Sequence, residues 1–255
     1  MYAQDFNELG FLCSHWPLKP ENPTLLLVHG AGLNHAQWQA QMTGLRESAN
    51  VIAVDLPGHA LSAHHDGEQT IAAYADVLAE LAEYLMCDNL TLVGHSMGGA
   101  VCLEYAVRYP DRLAGLVLLN TGARLKVMPE LLDKIRQDFS GFVSDMTRQA
   151  LTDGADQALM EPFEDLLLQG DMDVVINDFS ACNAFDRMDS LNKVCCPSLI
   201  LCAELDAMTP PKYAQYLSEH LPDSHFELIE GAAHLSPMEH PQEVNQSIRQ
   251  FVTSI

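Results

Sequence analysis

Positive charge is scarce in this chain. Thirteen Lys and Arg stand against 35 Asp and Glu in 255 residues, a formal net charge of −22. Nucleic-acid backbones and anionic membrane surfaces would be repelled by such a molecule. The seven cysteines include no CxxC spacing, and an odd count of this kind fits reduced thiols better than a disulfide framework. No apolar run is as long as a membrane span, and the first residues, Met1-Tyr2-Ala3-Gln4-Asp5, have neither the basic start nor the apolar core of a secretory signal. A cytoplasmic protein is the expectation. Internal repeats and low-complexity tracts are also missing, and the acidic residues are scattered rather than gathered into a tail.

What is present is enough apolar material, 48% of the residues, to fill the core of one α/β domain. Short apolar runs alternate with helix-length segments: Thr24 to Val28, Val51 to Val54, Leu90 to Val93, Leu113 to Leu119, Ser198 to Leu201 and Phe226 to Ile229. Continuous apolar strands separated by helices predict a parallel sheet covered on both faces. Helices are expected at Ile71 to Met86, Met97 to Arg108, Pro211 to His220 and Pro241 to Thr253. The first twenty residues carry one candidate strand, Phe6 to Cys13, with Trp16-Pro17 and Lys19-Pro20 as breakers.

The strand signal vanishes between about 121 and 190, where acidic residues interleave with Met and Phe at helical spacing. The expected organisation is a core of residues 1–120 and 191–255, with 121–190 as a helical cap inserted after the strand that ends at Leu119. A cap in that place lies over the strand ends, where open α/β sheets build their sites.

Gly94-His95-Ser96-Met97-Gly98-Gly99 follows one strand and opens one helix. A serine between small residues at a strand-to-helix turn reads as a nucleophile elbow. The competing reading is a dinucleotide loop, which wants an acidic residue near the end of the next strand; that strand runs instead into Asn120 and Thr121. A serine hydroxyl needs a base, and the base needs a carboxylate. Asp206 follows the strand through Leu201, with Glu204 as its rival, and His234 follows the strand through Ile229.

The order Ser96, Asp206, His234 resembles that of the α/β-hydrolase family. The likeness extends over nearly the whole chain. It includes Val28-His29-Gly30-Ala31-Gly32 before Trp38, Asp55-Leu56-Pro57-Gly58-His59 with Ser62, the elbow, Asp206 with Pro210, and His234 followed by Glu239, Pro241, Val244 and Asn245. The resemblance implies an eight-stranded, mostly parallel sheet flanked by helices. It also implies an oxyanion hole made by the backbone amides of Ala31 and Met97, and it favours Asp206 over Glu204 through the spacing to Pro210. Ala60 and Ala203 depart from the pattern, each standing where relatives often carry glycine.

The expected activity is a serine hydrolase acting on carboxylic esters of small to medium acyl groups, with Trp38, Arg124, Phe139, Phe142 and Met146 as candidate pocket residues. The segment Leu119 to Arg124 resembles enol-lactone hydrolases of aromatic catabolism, so a lactone is an alternative, and carbon-carbon bond hydrolases use the same triad. An alternative of another class is a slow-turnover ligand sensor on a hydrolase fold. No cofactor is called for. His59, His64, His65 and Asp66 lie close in sequence but lack a recognised metal-ligand spacing, so no metal site is expected.

Overall fold

The computed structural model describes residues 1–64, 69–87 and 89–255. Its sheet has eight strands: β1 (Tyr2–Phe6), β2 (Leu9–Cys13), β3 (Thr24–Val28), β4 (Asn50–Val54), β5 (Leu90–His95), β6 (Gly115–Leu119), β7 (Ser198–Ala203) and β8 (Ser224–Ile229). Their spatial order is β1-β2-β4-β3-β5-β6-β7-β8. The β1/β2 and β2/β4 pairs are antiparallel, and all the others are parallel. The single strand expected over Phe6 to Cys13 is therefore a hairpin. Its turn residues Asn7 and Glu8 take φ of 51° and 66°, with Glu8 standing where glycine usually marks such a turn.

The helices are α1 (Gln39–Gly44), α2 (Ile71–Leu85), α3 (Met97–Arg108), α4 (Pro129–Gln137), α5 (Phe139–Ala150), α6 (Gln157–Leu168), α7 (Met172–Ala184), α8 (Pro211–His220), α9 (Ser236–Glu239) and α10 (Pro241–Ser254). The central strands are buried on both faces, and successive residues alternate between them. Leu26 and Val28 pack with the helices α2, α3 and α8. Leu25 and Leu27 pack with Trp38, Met42, Val244 and Ile248 of the opposite layer. This two-sided burial explains why the strands read as unbroken apolar runs.

Helices α4 to α7 all fall between β6 and β7. They share a small apolar core in which Ile135, Phe142, Val143, Phe163 and Phe179 meet Leu33 and Leu235 from the sheet side. Three of the four begin on an aspartate whose side chain accepts a backbone N–H: Asp138 at α5, Asp156 at α6 and Asp171 at α7. Part of the acidic excess of this segment therefore serves as helix caps. The two ends of the segment are stitched together, with Arg124 bridging Asp186 and the Arg187 N–H donating to the Ala123 carbonyl at 2.8 Å.

Arg187 also ties the segment to the helix that follows Ser96. Its Nε and Nη2 reach the two oxygens of the buried Glu104 at 2.5 and 2.8 Å. Arg187→Met should lower stability by about 1–3 kcal/mol, because it leaves a buried carboxylate without its donor. Urea unfolding followed by circular dichroism measures this, and an unchanged midpoint would show that the contact contributes nothing.

Candidate active site

Ser96 sits between β5 and α3 with φ 53° and ψ −117°, a conformation that L-residues rarely adopt and that the surrounding structure must enforce. The enforcement is visible. The Ser96 N–H donates to the Leu119 carbonyl at 3.0 Å, and the Thr121 hydroxyl donates to the Ser96 carbonyl at 2.7 Å. A Cβ on Gly94 would overlap the Gly98 carbonyl, and one on Gly98 would overlap the carbonyls of Val28 and His29. Glycine at both places is the condition for strand, turn and helix to approach this closely.

His234 follows β8 in a loop held from several sides. Its carbonyl accepts from His95 Nε2 at 2.8 Å and from Asn120 Nδ2 at 2.7 Å. The neighbouring Ala233 N–H donates to Glu239 at 2.9 Å, and Glu239 also accepts from the N–H and hydroxyl of Thr152 at the end of α5. His234 Nδ1 lies 2.8 Å from Asp206 Oδ2. Asp206 accepts in addition from the N–H groups of Met208 and Thr209 and from the Thr209 hydroxyl, each at 2.8 Å. Burial alone would raise its pKa, yet the facing His234 and the Thr209 donors outweigh that and hold the carboxyl below its ordinary value. Glu204, the rival, is exposed and accepts from the Gly231 N–H instead.

The other motif histidines are braces. His29 Nε2 accepts from the Leu56 N–H at 3.0 Å; burial, then the neighbouring His59, lowers its pKa to about 4. Burial and the adjacent His234 lower His95 to about 3. Both rings are neutral at ordinary pH. Among the described residues no group of three or more side chains is arranged to hold a metal ion, and His65 and Asp66 lie outside those residues.

Ser96 and His234 line one narrow cleft together with Gly30, Ala31, Leu33, Met146, Phe163 and Phe179. Its free space is about 30 Å³, room for little more than a water or two. Of the five expected pocket residues, Met146 alone stands on this wall. Phe142 is buried inside the core of α4–α7, against Phe179 on one side and Phe139 on the other. Trp38 is fully buried in the sheet core, edge-on to the His95 ring at 6.5 Å. Arg124 faces Asp186 at 3.5 Å and lines a separate cleft with Lys126, Lys212, Tyr213 and Tyr216. The sequence reading gave no part to Asn120, Thr209 or Asp178. Only Thr209 had a visible signal, an aspartate three residues before a threonine in a turn.

Three buried carboxyls, Asp55, Asp178 and Asp206, are all held below their ordinary value, in each case because hydrogen-bonded partners overcome the cost of burial. A depressed carboxyl stabilises the fold above its unfolded pKa, near 3.9, and that contribution is lost as pH falls through the folded value. Asp55 accepts from the His35 N–H at 2.6 Å and faces His35 Nδ1 at 2.7 Å. Asp55→Asn should therefore melt well below wild type at pH 7, with the gap narrowing below about pH 4. Thermal melts from pH 7 to pH 3 test this, and a constant gap would contradict it.

Residues 23–241 match the family described as alpha/beta hydrolase fold. Among curated proteins, the chain is similar to the pimeloyl-[acyl-carrier protein] methyl ester esterase of Neisseria meningitidis, 28% identical over 243 residues, covering 90% of this chain and 93% of that one. The protein of the same name from Vibrio parahaemolyticus is 27% identical over 252 residues, covering 93% and 97%. Among solved structures, a thermophilic esterase from Thermogutta terrifontis superimposes with a TM-score of 0.86 at 30% identity, over 96% of this chain and 94% of that one. The enol-lactonase of Burkholderia xenovorans LB400 shares the fold, with a TM-score of 0.88 at 20% identity, over 99% and 100% of the two chains. The chain belongs to the α/β-hydrolase fold family.

Proposed function

We propose that the protein is a serine esterase cleaving carboxylic esters of small to medium acyl groups through an acyl-enzyme. Ser96 attacks the carbonyl carbon and His234 takes its proton through Nε2. Asp206 fixes the imidazole with Nδ1 protonated and offsets its positive charge in the transition state. His234 then gives the proton to the leaving alcohol and later draws one from the water that releases the acid. The observation that carries this reading is the 2.8 Å Asp206–His234 contact beside a cleft that Ser96 and His234 both line.

The tetrahedral oxyanion needs donors placed in advance. The amides of Ala31 and Met97 suit that role. Met97 begins α3, where the helix dipole favours negative charge, and neither amide donates to a protein acceptor among the described residues. Arg124 lies on another cleft, so it does not supply the carboxylate contact beside Ser96 that would favour a lactone. The α4–α7 insertion acts as the cap. It leaves so little space over Ser96 that an acyl chain longer than a few carbons requires α5, α6 and α7, which all line the cleft, to move outward. The methyl esterase names of the bacterial relatives agree with a small leaving alcohol.

On p-nitrophenyl esters, Ser96→Ala should abolish turnover. Asp206→Asn should lower kcat by about 10³–10⁴-fold, while Glu204→Gln should stay within about 3-fold of wild type, since its side chain reaches only an exposed loop amide. Equal inactivity of Ser96→Ala and wild type across acyl lengths would favour a sensor on a hydrolase fold. Met146→Ala should raise kcat/KM for butyrate and hexanoate esters relative to acetate. Phe142→Ala should lower stability without that change in preference, and the opposite pattern would return Phe142 to the pocket wall.

A further inference from the structure

Asp178, on α7 of the cap, is wholly buried, and its partners come from three separate parts of the hydrolase core. The Gly32 N–H donates to Oδ2 at 2.8 Å, His59 Nε2 lies 2.9 Å from the same oxygen, and the Tyr74 hydroxyl donates to Oδ1 at 2.8 Å. Burial opposes the charge on both members of the His59–Asp178 pair. Their mutual attraction overcomes it, raising the histidine and lowering the carboxyl. The nearby His29 is neutral, and burial with the Asp178 charge keeps the Tyr74 phenol protonated. A buried pair of this kind is a poor stabiliser compared with apolar residues of the same volume. Its placement is the informative part.

Gly32 directly follows Ala31. It occupies a left-handed turn at φ 68° pressed against Leu167 and Val175 of the cap. On the other side of Ala31, the Gly30 N–H donates to Gln37 Oε1 at 3.0 Å. The Ala31 amide is thus bracketed by two tethered peptides. Gln37 supplies one tether from within the core, and Asp178 supplies the other from the cap. We propose that Asp178 is a positioning residue that couples seating of the cap to assembly of the oxyanion hole: with α7 docked, its carboxylate fixes the Ala31–Gly32 peptide so that the Ala31 amide points at the carbonyl oxygen. The proposal rests on the assignment of Ala31 as an oxyanion donor. When the cap lifts to admit substrate, the tether is released, so the site reaches full activity only after closing over its ester.

The test compares the full chain with Asp178→Ala, Asp178→Asn and Ser96→Ala, measuring kcat and KM on p-nitrophenyl acetate and the inhibition constant of an alkylboronic acid. The boronate forms a tetrahedral adduct on serine and reports the hole independently of turnover. Asp178→Ala should lower kcat by about 10–100-fold, with KM within about 3-fold, and weaken the boronate by a similar factor. Asp178→Asn should recover most of this, because its amide oxygen can still accept the Gly32 N–H while its NH₂ faces the Tyr74 oxygen. If Asp178→Ala fails to fold, Asp178→Leu with His59→Leu removes both buried charges and gives the same readout. Wild-type kcat and boronate affinity in a folded variant with no acceptor at position 178, Asp178→Ala or the double leucine variant, would overturn the proposal, as would equal losses in Ala and Asn. Wild-type turnover by Ser96→Ala would instead refute the serine mechanism and the proposal with it.

Discussion

Everything in the site depends on holding one serine in a backbone conformation that it would not choose. A residue in so sparsely populated a region costs of order 1–3 kcal/mol, and the turn at Ser96 persists because β5 cannot yield. That strand is hydrogen-bonded in register to β3 and β6 on its two sides, and α3 lies close enough for Gly98 to touch the carbonyls at the end of β3. Thr121 and Leu119, at the end of β6, secure the serine's own carbonyl and amide. The strain is local, but the restraint is the whole parallel sheet.

The same sheet explains why Asp206 and His234 meet although they lie in separate parts of the sequence. Asp206 and His234 leave the C-terminal ends of β7 and β8, and successive parallel strands deliver their following loops to one edge. Asn120, at φ 44°, knits these loops together. Its side chain donates to the His234 carbonyl and to the Ser236 hydroxyl, and accepts from the Ala203 N–H. One buried amide side chain thereby sets the spacing of three strand ends. A protein of net charge −22 also keeps its interior carboxylates few, and those described here are saturated with donors. Asp55, Glu104, Asp178 and Asp206 each join elements far apart in sequence, as the cost of an unpaired buried charge requires.

Legibility from sequence followed physical cause. Strands buried on both faces have no choice but to be apolar, so β3 and β5 stood out, as did the glycines of the elbow, which answer to steric overlap. The β1–β2 hairpin was hidden because Glu8 stands where glycine usually completes such a turn, and β1 is largely exposed. The pocket was hidden for a different reason. Of the Met and Phe residues at helical spacing on α5 to α7, some face one another, some the cleft and Met172 the solvent, and the period alone does not separate them. Phe142 went to the interior and Phe179 to the shared wall.

By itself the sequence determined the fold family and the places of Ser96, Asp206 and His234 just after strands β5, β7 and β8, because these follow from local sterics and burial pattern. Only the tertiary structure decided which side chains of α4 to α7 line the cleft beside Ser96, that Arg124 lines a separate one, and that Asp178 reaches back 146 positions to the Gly32 amide. Such contacts depend on how these helices rotate and seat on the sheet. That is settled by packing among residues distant in the chain, of which a linear pattern carries no record.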